Sequence, residues 1–320
     1  MRFASYEQDG AVRAGVAGAD GLHPLPDDTT VLGLVRAGLP AALDAGTAVL
    51  DRPAVPLERV RLLPPLTPPT IRDFVAFEEH VEGVSTSVTG AAGVAPEWYQ
   101  APTFYFTNPH ALVGAHDDVP VPPGSRLFDF ELEVAAVIGR AGASLTPGDA
   151  RDAIFGYTIF NDWSARDLQS REMKVSLGPA KGKDSATTLG PWLVTADELE
   201  PFRDHDGFLA LEMRVTVNDR EVGRDQLSNM GWPFEELVSY AARGTRVRAG
   251  DVLGSGTCGN GGCLAELWGR RGERTPPPLA PGDVVEMTVE GIGTIRNSVV
   301  VGRDLPPVAP ARRRPRTRTR

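Results

Sequence analysis

Proline is the residue that most constrains how this chain can fold. Of the 320 residues, 28 are proline and 35 are glycine. The prolines are densest in Leu63-Pro64-Pro65-Leu66-Thr67-Pro68-Pro69, where four fall within seven residues. Because proline fixes φ and lacks a backbone N–H, this stretch excludes both a regular helix and a central strand. We therefore predict a boundary here, between a small N-terminal domain (residues 1–62) and a larger unit (residues 63–305).

Apolar runs on both sides of this boundary are short and are separated by turn-forming residues, as is typical of β-rich chains. The predicted strands are Met1–Tyr6, Ala11–Ala17, Leu132–Ile138, Phe155–Phe160, Leu209–Val217, Val284–Val289 and Ser298–Val301. The predicted helices are Thr30–Ala37, Pro147–Ala153 and Pro233–Ala242, and Asn218-Asp219 is the predicted turn of a hairpin. No regular alternation of strand and helix is visible. The predicted class is therefore α+β, and mainly β.

Charge is distributed unevenly along the chain. The net charge is −9, but residues 311–320 carry six arginines and no acid, so the remainder is near −15 (−9 − 6). We interpret residues 306–320 as a disordered Arg-rich tail, since it has no aromatic residue to stack on bases. A nucleic-acid-associated protein that acts through this tail stays open as an alternative, although the acidic body would repel phosphate backbones.

Only two cysteines occur, Cys258 and Cys263, which excludes a disulfide framework and a four-cysteine zinc site. The first residues lack the apolar core of a signal peptide. No apolar run approaches the roughly 18 residues that a membrane helix needs. We expect a cytoplasmic enzyme without a membrane partner.

Two glutamates interrupt the otherwise apolar segment Phe130–Ile138. Residues two apart in a strand point to the same face, so Glu131 and Glu133 project together. Two like charges on a buried strand repel each other and lose hydration, and a hard divalent cation would offset both costs. The alternative is an exposed sheet edge on which paired glutamates only prevent aggregation.

A third carboxylate, Asp162, directly follows the apolar run Phe155–Phe160 and precedes a predicted helical turn. Side chains at strand ends commonly contribute to binding or catalytic sites. An aspartate at such a position can also simply cap a helix. The neighbouring Arg166 and Asp167 can form a structural ion pair. Three carboxylates favour Mg²⁺, Mn²⁺ or Ca²⁺ over zinc, and no two of the five histidines have metal-ligand spacing on a helix.

These motifs, taken in order, resemble those of the fumarylacetoacetate hydrolase family. The matching segments are Glu131-Leu132-Glu133, Asn161-Asp162-Trp163-Ser164-Ala165-Arg166-Asp167-Leu168-Gln169, Leu177-Gly178-Pro179-Ala180-Lys181-Gly182-Lys183, Thr187-Thr188-Leu189-Gly190-Pro191-Trp192 and Gly254-Ser255-Gly256-Thr257. The resemblance covers roughly residues 63–303. It implies a mixed β-roll catalytic domain (residues 63–305) behind the small N-terminal domain, and a homodimer.

The resemblance also implies roles for individual residues. Glu131, Glu133 and Asp162 match the metal ligands of the family, which bind Mg²⁺ or Ca²⁺. Gln169 and Lys183 match residues that face the substrate's oxygens. Thr257 matches a pocket threonine, and Tyr105 matches a pocket tyrosine.

A catalytic base is implied by two further positions. His80 matches the histidine that takes a proton from water, and Glu266, in Cys263–Trp268, matches the glutamate that orients it. The family's fourth metal-binding aspartate falls on Ala76 when Phe77 is aligned with its aromatic neighbour, and Asp73 lies three residues too early. We therefore expect three carboxylates plus waters.

The segment after His80 bears on the substrate. The family arginine that grips a substrate carboxylate has no counterpart in Val81–Thr89, which contains no basic residue. Val81–Ala101 is predicted to be a mobile lid with Gly83, Gly90 and Gly93 as hinges.

The function that the resemblance implies is metal-dependent hydrolysis of a carbon–carbon bond in a 1,3-diketo acid. Acylpyruvate, fumarylpyruvate or a fumarylacetoacetate-like compound is the expected small-molecule keto-acid substrate, within the catabolism of aromatic compounds or related acids. A β-keto acid decarboxylase or a keto–enol isomerase could use the same site. A non-catalytic protein of the same fold is the remaining alternative.

Overall fold

The computed structural model describes residues 1–89 and 93–312. The strands are β1 Arg2–Gln8, β2 Ala11–Gly18, β3 Gly21–Pro24, β4 Arg61–Leu63, β5 Ile71–Phe74, β6 Phe104–Thr107, β7 Leu112–Val113, β8 Val119–Pro120, β9 Phe128–Asp129, β10 Leu132–Ile138, β11 Gly142–Ala143, β12 Ile154–Asp162, β13 Ser164–Ala165, β14 Thr187–Thr195, β15 Glu212–Val217, β16 Arg220–Gln226, β17 Arg246–Val247, β18 Val252–Gly254, β19 Val284–Val289 and β20 Gly293–Val300. The helices are α1 Val31–Ala37, α2 Leu39–Thr47, α3 Glu78–Thr89, α4 Pro147–Arg151, α5 Arg166–Met173, α6 Ala196–Leu199, α7 Phe234–Ala242 and α8 Leu264–Arg271.

A large mixed sheet organises the described part of the chain. Its strands run in the order β3-β2-β1-β14-β12-β10-β18-β5-β6, with β4 paired to β1 and β7 paired to β14. A second sheet has the order β16-β15-β19-β20-β8. The mainly β, α+β class is confirmed.

The strands β10 and β12 lie in the middle of the large sheet, which explains why most of their residues are apolar. β10 pairs with β12 on one side and with β18 on the other, both antiparallel. Every residue of β10 and of β12 is buried. Their register places Leu132 opposite Asn161, so the start of β10 lies beside the end of β12.

The first residues extend the same sheet. β1 pairs antiparallel with β14, with Arg2 opposite Val194 and Phe3 opposite Leu193. The division of the chain after residue 62 stays a prediction. Residues 301–312 have no regular secondary structure and are mostly exposed, whereas residues 313–320, most of the predicted tail, lie outside the described residues.

Residues at a helix cap and at a hairpin turn determine where two of the predicted elements begin or end. The predicted helix at Thr30–Ala37 is α1, and Thr30 caps it, since its hydroxyl accepts a hydrogen bond from the Gly33 N–H at 3.0 Å. The predicted hairpin joins β15 to β16, and Asn218 and Asp219 have φ of 52° and 60°. Such left-handed pairs match the twist of the strands they join.

The first part of the predicted lid is helical, and the mobility of Val81–Ala101 stays a prediction. Residues 78–89 form α3, which packs along α8. Gly83 is a close-approach point in this packing, because an added Cβ would lie 2.5 Å from Glu266 Cγ. Gly90 lies outside the described residues, and Gly93 has a φ of 81°.

In the described residues, no helix combines the length and apolar character needed to cross a membrane.

Candidate metal centre and active site

Three carboxylates from two neighbouring regions of the large sheet converge in its interior. Asp73 lies in β5, Glu133 lies in β10, and Glu131 directly precedes β10. Each offers one carboxylate oxygen, and these oxygens lie within 4.8 Å of one another. All three side chains are buried. The predicted pair of glutamates therefore faces the interior, and the alternative of an exposed sheet edge is wrong.

Asp73 corrects the prediction that Ala76 leaves the cluster with three carboxylates. β5 pairs parallel with β18, which places Asp73 opposite Gly254. Gly254 is in turn opposite Ala135 of β10. A Cβ at Gly254 would lie 2.4 Å from Asp73 Oδ1 and 3.0 Å from Glu133 Oε2, so only glycine leaves room for both carboxylates. Ala76 lies beyond the end of β5, where its N–H donates to Ser255.

Asp162 lies beside these three carboxylates, because Lys183 and Tyr105 each contact Asp162 and one of the others. The Lys183 ammonium lies 2.9 Å from Asp162 Oδ2 and also pairs with Glu131 Oε2. The Tyr105 hydroxyl is 2.8 Å from Asp73 Oδ2 and is also in contact with Asp162 Oδ2. The predicted helix-cap role of Asp162 is not what the structure shows, because its carboxylate points into this cluster. We call Asp73, Glu131, Glu133 and Asp162 the carboxylate cluster.

Negative charge exceeds positive charge at the carboxylate cluster. Its four carboxylates face two buried cations, Lys183 and Arg166, and Arg166 also pairs with the buried Asp129, which leaves a surplus of three negative charges (−5 + 2) if all are ionised. Burial and the charge of Asp162 raise the pKa of Asp73 to about 7. Burial and the charge of Asp73 raise the pKa of Glu133 well above its ordinary value. The surplus charge is therefore costly unless another cation shares the site.

Glu131 behaves differently from its neighbours. Burial alone would raise its pKa, but Lys183 and then Arg166 outweigh burial and lower the pKa to about 2. Glu131 is thus the member of the cluster whose charge the chain itself compensates. For Asp162, burial is the larger effect and raises the pKa despite the nearby ammonium of Lys183.

The oxygens of the cluster fit a hard divalent cation. Asp73 Oδ1 and Asp162 Oδ1 are buried and have no hydrogen-bond partner within the described part of the chain. Buried carboxylate oxygens without partners are costly, and Mg²⁺, Mn²⁺ and Ca²⁺ prefer oxygen ligands. A charge of +2 would also offset most of the surplus negative charge. Asp73, Glu131, Glu133 and Asp162 are therefore the candidate ligands.

Helices place the predicted base beside the cluster. His80 lies in α3 and Glu266 in α8, and both side chains are buried. Burial lowers the pKa of His80 to about 3, so the imidazole is neutral near pH 7. Burial raises the pKa of Glu266 to about 7.

The expected hydrogen bond between His80 and Glu266 is not formed between these two described residues. His80 Nδ1 lies 3.7 Å from Cys263 Sγ instead. Glu266 Oε2 accepts from the Gly261 N–H at 3.2 Å, and Oε1 lies 3.3 Å from Arg270 Nη1. These local contacts hold the carboxylate away from the imidazole. The roles of His80 and Glu266 stay predictions.

The predicted ion pair between Arg166 and Asp167 is wrong, because Arg166 pairs with other carboxylates. Arg166 Nε donates to Asp129 Oδ2 at 2.8 Å, and Nη2 lies 2.7 Å from Glu131 Oε1. Asp129 also accepts from the first N–H groups of α8, those of Leu264 and Ala265. Asp129 precedes Glu131 by two residues. This spacing is the feature of the sequence that could have indicated one cation in contact with both carboxylates.

The two remaining predicted substrate residues lie at the edge of the cluster. Gln169 Oε1 accepts from Arg166 Nη1 at 3.1 Å, which ties the amide to the same cation. The Thr257 hydroxyl donates to Glu133 Oε1 at 3.3 Å, and the Gly256 N–H donates to Glu133 Oε2 at 3.1 Å. These contacts orient Glu133, while the predicted contacts of Gln169 and Thr257 with substrate remain untested.

Comparison with known proteins shows which family the chain resembles. Residues 70–300 match the family described as Fumarylacetoacetate (FAA) hydrolase C-terminal. The chain is 30% identical over 257 residues to the fumarylacetoacetase of Arabidopsis thaliana, covering 66% of this chain and 61% of the plant protein. It is 34% identical over 189 residues to an oxaloacetate tautomerase of Bacillus subtilis, covering 59% and 56%. The chain thus spans about three fifths of the plant protein.

Solved structures show the same fold over almost the whole chain. The fumarylacetoacetate hydrolase of Exiguobacterium antarcticum superposes with a TM-score of 0.73 at 27% identity, covering 94% of this chain and 99% of that one. A maleylpyruvate hydrolase of Sphingobium, solved with manganese(II) and pyruvate, has a TM-score of 0.68 at 23% identity and covers 95% and 100%. At that identity the second likeness concerns the fold alone. With the family match over residues 70–300, these findings place the chain in the fumarylacetoacetate hydrolase family.

Proposed function

We propose that this chain is a metal-dependent hydrolase that cleaves a carbon–carbon bond in a 1,3-diketo acid, an acylpyruvate or a close relative. The observation that carries the proposal is the buried ammonium of Lys183, held between Glu131 and Asp162 and beside a surplus of carboxylates. Such a cation stabilises the negative charge that develops on a substrate oxygen when the bond breaks. Relatives named fumarylacetoacetase support this choice.

The carboxylate cluster would hold the metal, and Mg²⁺, Mn²⁺ or Ca²⁺ suits its oxygen ligands. The Sphingobium maleylpyruvate hydrolase of the same fold was solved in complex with manganese(II) and pyruvate, which supports a metal ion and a keto-acid substrate for this chain. When bound, such an ion polarises the carbonyl oxygens of a keto acid. The hydrolysis also needs a water molecule from solvent, a base and a hydrogen-bond donor to the leaving group. Residues of this chain can supply the base and the donor.

His80 is the proposed base, because its imidazole is neutral near pH 7 and lies beside the cluster. It takes a proton from water, and the water oxygen bonds to the distal carbonyl carbon. The carbon–carbon bond then breaks, and its electron pair passes into the departing enolate, whose oxygen accepts a hydrogen bond from Lys183. The proton returns from His80 to the enolate carbon, which leaves a carboxylic acid and a keto acid.

A tautomerase or decarboxylase is the second candidate, and a specific observation favours it. The His80–Glu266 hydrogen bond that would orient the base is absent from the structure, and burial without that partner lowers the pKa of His80 to about 3. A keto–enol isomerase needs no attacking water, so it does not depend on this pair. The oxaloacetate tautomerase of Bacillus subtilis supports the alternative.

Product analysis separates these functions. The full chain is incubated with Mn²⁺ or Mg²⁺ and a panel of acylpyruvates, fumarylpyruvate, fumarylacetoacetate and oxaloacetate. Two acid fragments from a diketo acid support the hydrolase. Release of CO₂ or enol–keto conversion of oxaloacetate without any fragment overturns it in favour of the second candidate.

A homodimer also remains a proposal, on the grounds of the family resemblance. Light scattering of the full chain at micromolar concentration measures it directly, with a mass twice the monomer's 34.2 kDa as the expected result.

A further inference from the structure

A groove of about 720 Å³ lies between α1 and the small sheet formed by β11 and β17. Three arginines line it: Arg36 in the last turn of α1, Arg246 in β17 and Arg248 directly after β17. The rest of its wall consists of small or apolar residues, namely Pro69, Ala141, Gly142, Ala143, Val247 and Ala249. None of the described residues that line the groove is acidic. We call this the arginine groove.

The small sheet fixes two of these arginines on one side of the groove. Residues two apart in an extended segment point to the same face, so Arg246 and Arg248 project together while Val247 between them is buried. β17 pairs antiparallel with β11 and places Arg246 opposite Ala143, a side chain too short to cover a guanidinium. The Arg248 N–H donates to Asp251 Oδ2 at 2.9 Å, which holds the chain after β17 in place.

Packing of α1 on the same loop brings in the third arginine. A Cβ at Gly250 would lie 2.4 Å from Leu32 Cδ1 and 3.2 Å from Pro69 Cδ, so α1 packs directly on the loop that follows β17. The Gly250 N–H also donates to the Ile138 carbonyl at 2.7 Å. Arg36 is four residues beyond Leu32 and therefore lies on the same face of α1. The groove is thus assembled from a packed helix and a paired strand.

The positive charge of the arginine groove is not compensated by the described part of the chain. No carboxylate there lies within ion-pair distance of any of its three guanidinium groups. The acid next along the chain, Asp251, is buried and lies 3.8 Å from Arg72 Nη1. By contrast, the exposed Arg61 and Arg224 each meet two carboxylates. In a chain with a net charge of −9, three unpaired guanidinium groups in one groove favour an anionic ligand.

We propose that the arginine groove binds a phosphate group, either as free phosphate or as part of a small metabolite such as a nucleotide. Guanidinium groups form charge-assisted hydrogen bonds with phosphate oxygens, often two at a time. The volume of the groove is within the range of small-molecule sites. The groove is separate from the carboxylate cluster, because it lies beyond the end of β10, and Glu133 to Ile138 alone spans about 17 Å of strand. The inference therefore goes beyond the proposed function and does not depend on it.

Calorimetric titration of the full chain with inorganic phosphate and with adenosine monophosphate, at physiological ionic strength, tests this site. Saturable binding to a single site is expected, with affinity about 10-fold lower or less in Arg36→Ala and in Arg246→Ala. Arg59→Ala removes an exposed arginine outside the groove and should bind as the wild-type chain does. Tighter binding of the nucleotide than of phosphate would identify a nucleotide as the source of the phosphate group, and equal or weaker binding would identify free phosphate.

The proposal is overturned if neither probe binds saturably at millimolar concentration, or if Arg36→Ala and Arg246→Ala bind as the wild-type chain does. An equal loss of affinity in Arg59→Ala also overturns it, because net charge rather than the groove would then explain the binding. Thermal unfolding gives an independent readout, since a ligand of the folded state stabilises it. Phosphate should raise the Tm of the wild-type chain and of Arg59→Ala by more than that of Arg246→Ala.

Discussion

The two halves of the site are built in different ways. The carboxylate cluster, with Asp73, Glu133 and Asp162 in strands, is fixed by the register of the large sheet. His80 and Glu266 lie in α3 and α8, and their relation depends on how two helices pack. The strand-borne carboxylates converge, whereas the helix-borne pair is close but not hydrogen-bonded. The candidate metal-binding half is therefore already assembled, and the half that contains His80 and Glu266 is the more sensitive to small displacements.

The largest expected effects come from the strand-borne half. Asp73→Asn and Asp162→Asn should each lower kcat/KM by about 100-fold or more, because each removes a charged oxygen from the candidate metal site. Steady-state kinetics with saturating Mn²⁺ measure this loss, and circular dichroism checks that both variants fold. Asp206→Asn, in an exposed loop, is the matched control. Full activity of Asp73→Asn would show that the metal site uses only the three other carboxylates.

Lys183→Met probes the buried cation next. Loss of the ammonium should lower kcat by about 100-fold while Mn²⁺ binding is retained, because the remaining carboxylates then carry more uncompensated charge. Parallel measurements of kcat and of Mn²⁺ affinity separate the two effects. Lys181→Met, two residues away and 68% exposed, should keep full activity. Loss of metal binding in Lys183→Met would show that the lysine is structural.

Part of this site could be predicted from the sequence, for a physical reason. A strand repeats every two residues, so Glu131 and Glu133 were placed on one face by spacing alone. Asp73 could not be found in this way, since its position depends on a parallel pairing with β18, far along the chain. The absent His80–Glu266 contact was equally hidden, because it depends on the competing contacts of Glu266 with Gly261 and Arg270.

Glu266→Gln tests the helix-borne half of the site. It should change both the rate of hydrolysis and the pH dependence of stability. If Glu266 orients His80 during hydrolysis, its loss should lower hydrolysis by about 10-fold to 100-fold and leave tautomerisation unchanged. The pKa of Glu266 is raised to about 7, so the folded chain binds this proton more tightly than the unfolded chain does. The resulting stability is present below the ordinary pKa of 4.5 and is lost as the pH rises through 7.

Urea denaturation from pH 4.5 to 8 checks this second effect. The wild-type chain should lose stability over that range relative to Glu266→Gln, which cannot ionise there. Parallel curves for the two proteins would show that the Glu266 carboxyl is not protonated preferentially in the folded state.

The smallest expected effect is at Cys263, which caps α8 by accepting from the Glu266 N–H at 3.4 Å. Serine is a better helix cap, so Cys263→Ser should stabilise the chain by about 0.5 kcal/mol and change kcat/KM less than about 3-fold. Cys258→Ser, at a buried position that caps no helix, should destabilise it instead. Thermal unfolding compares the two, and equal shifts would contradict the capping role.

The central claim is that Asp73, Glu131, Glu133 and Asp162 together bind a divalent cation. Calorimetric titration of the metal-stripped full chain with Mn²⁺ tests it most directly, without any assumption about substrate. The predicted result is a single Mn²⁺ per chain, with affinity reduced by about 10-fold or more in both Asp73→Asn and Asp162→Asn. Undetectable binding by the wild-type chain, or unchanged affinity in both variants, would contradict the claim.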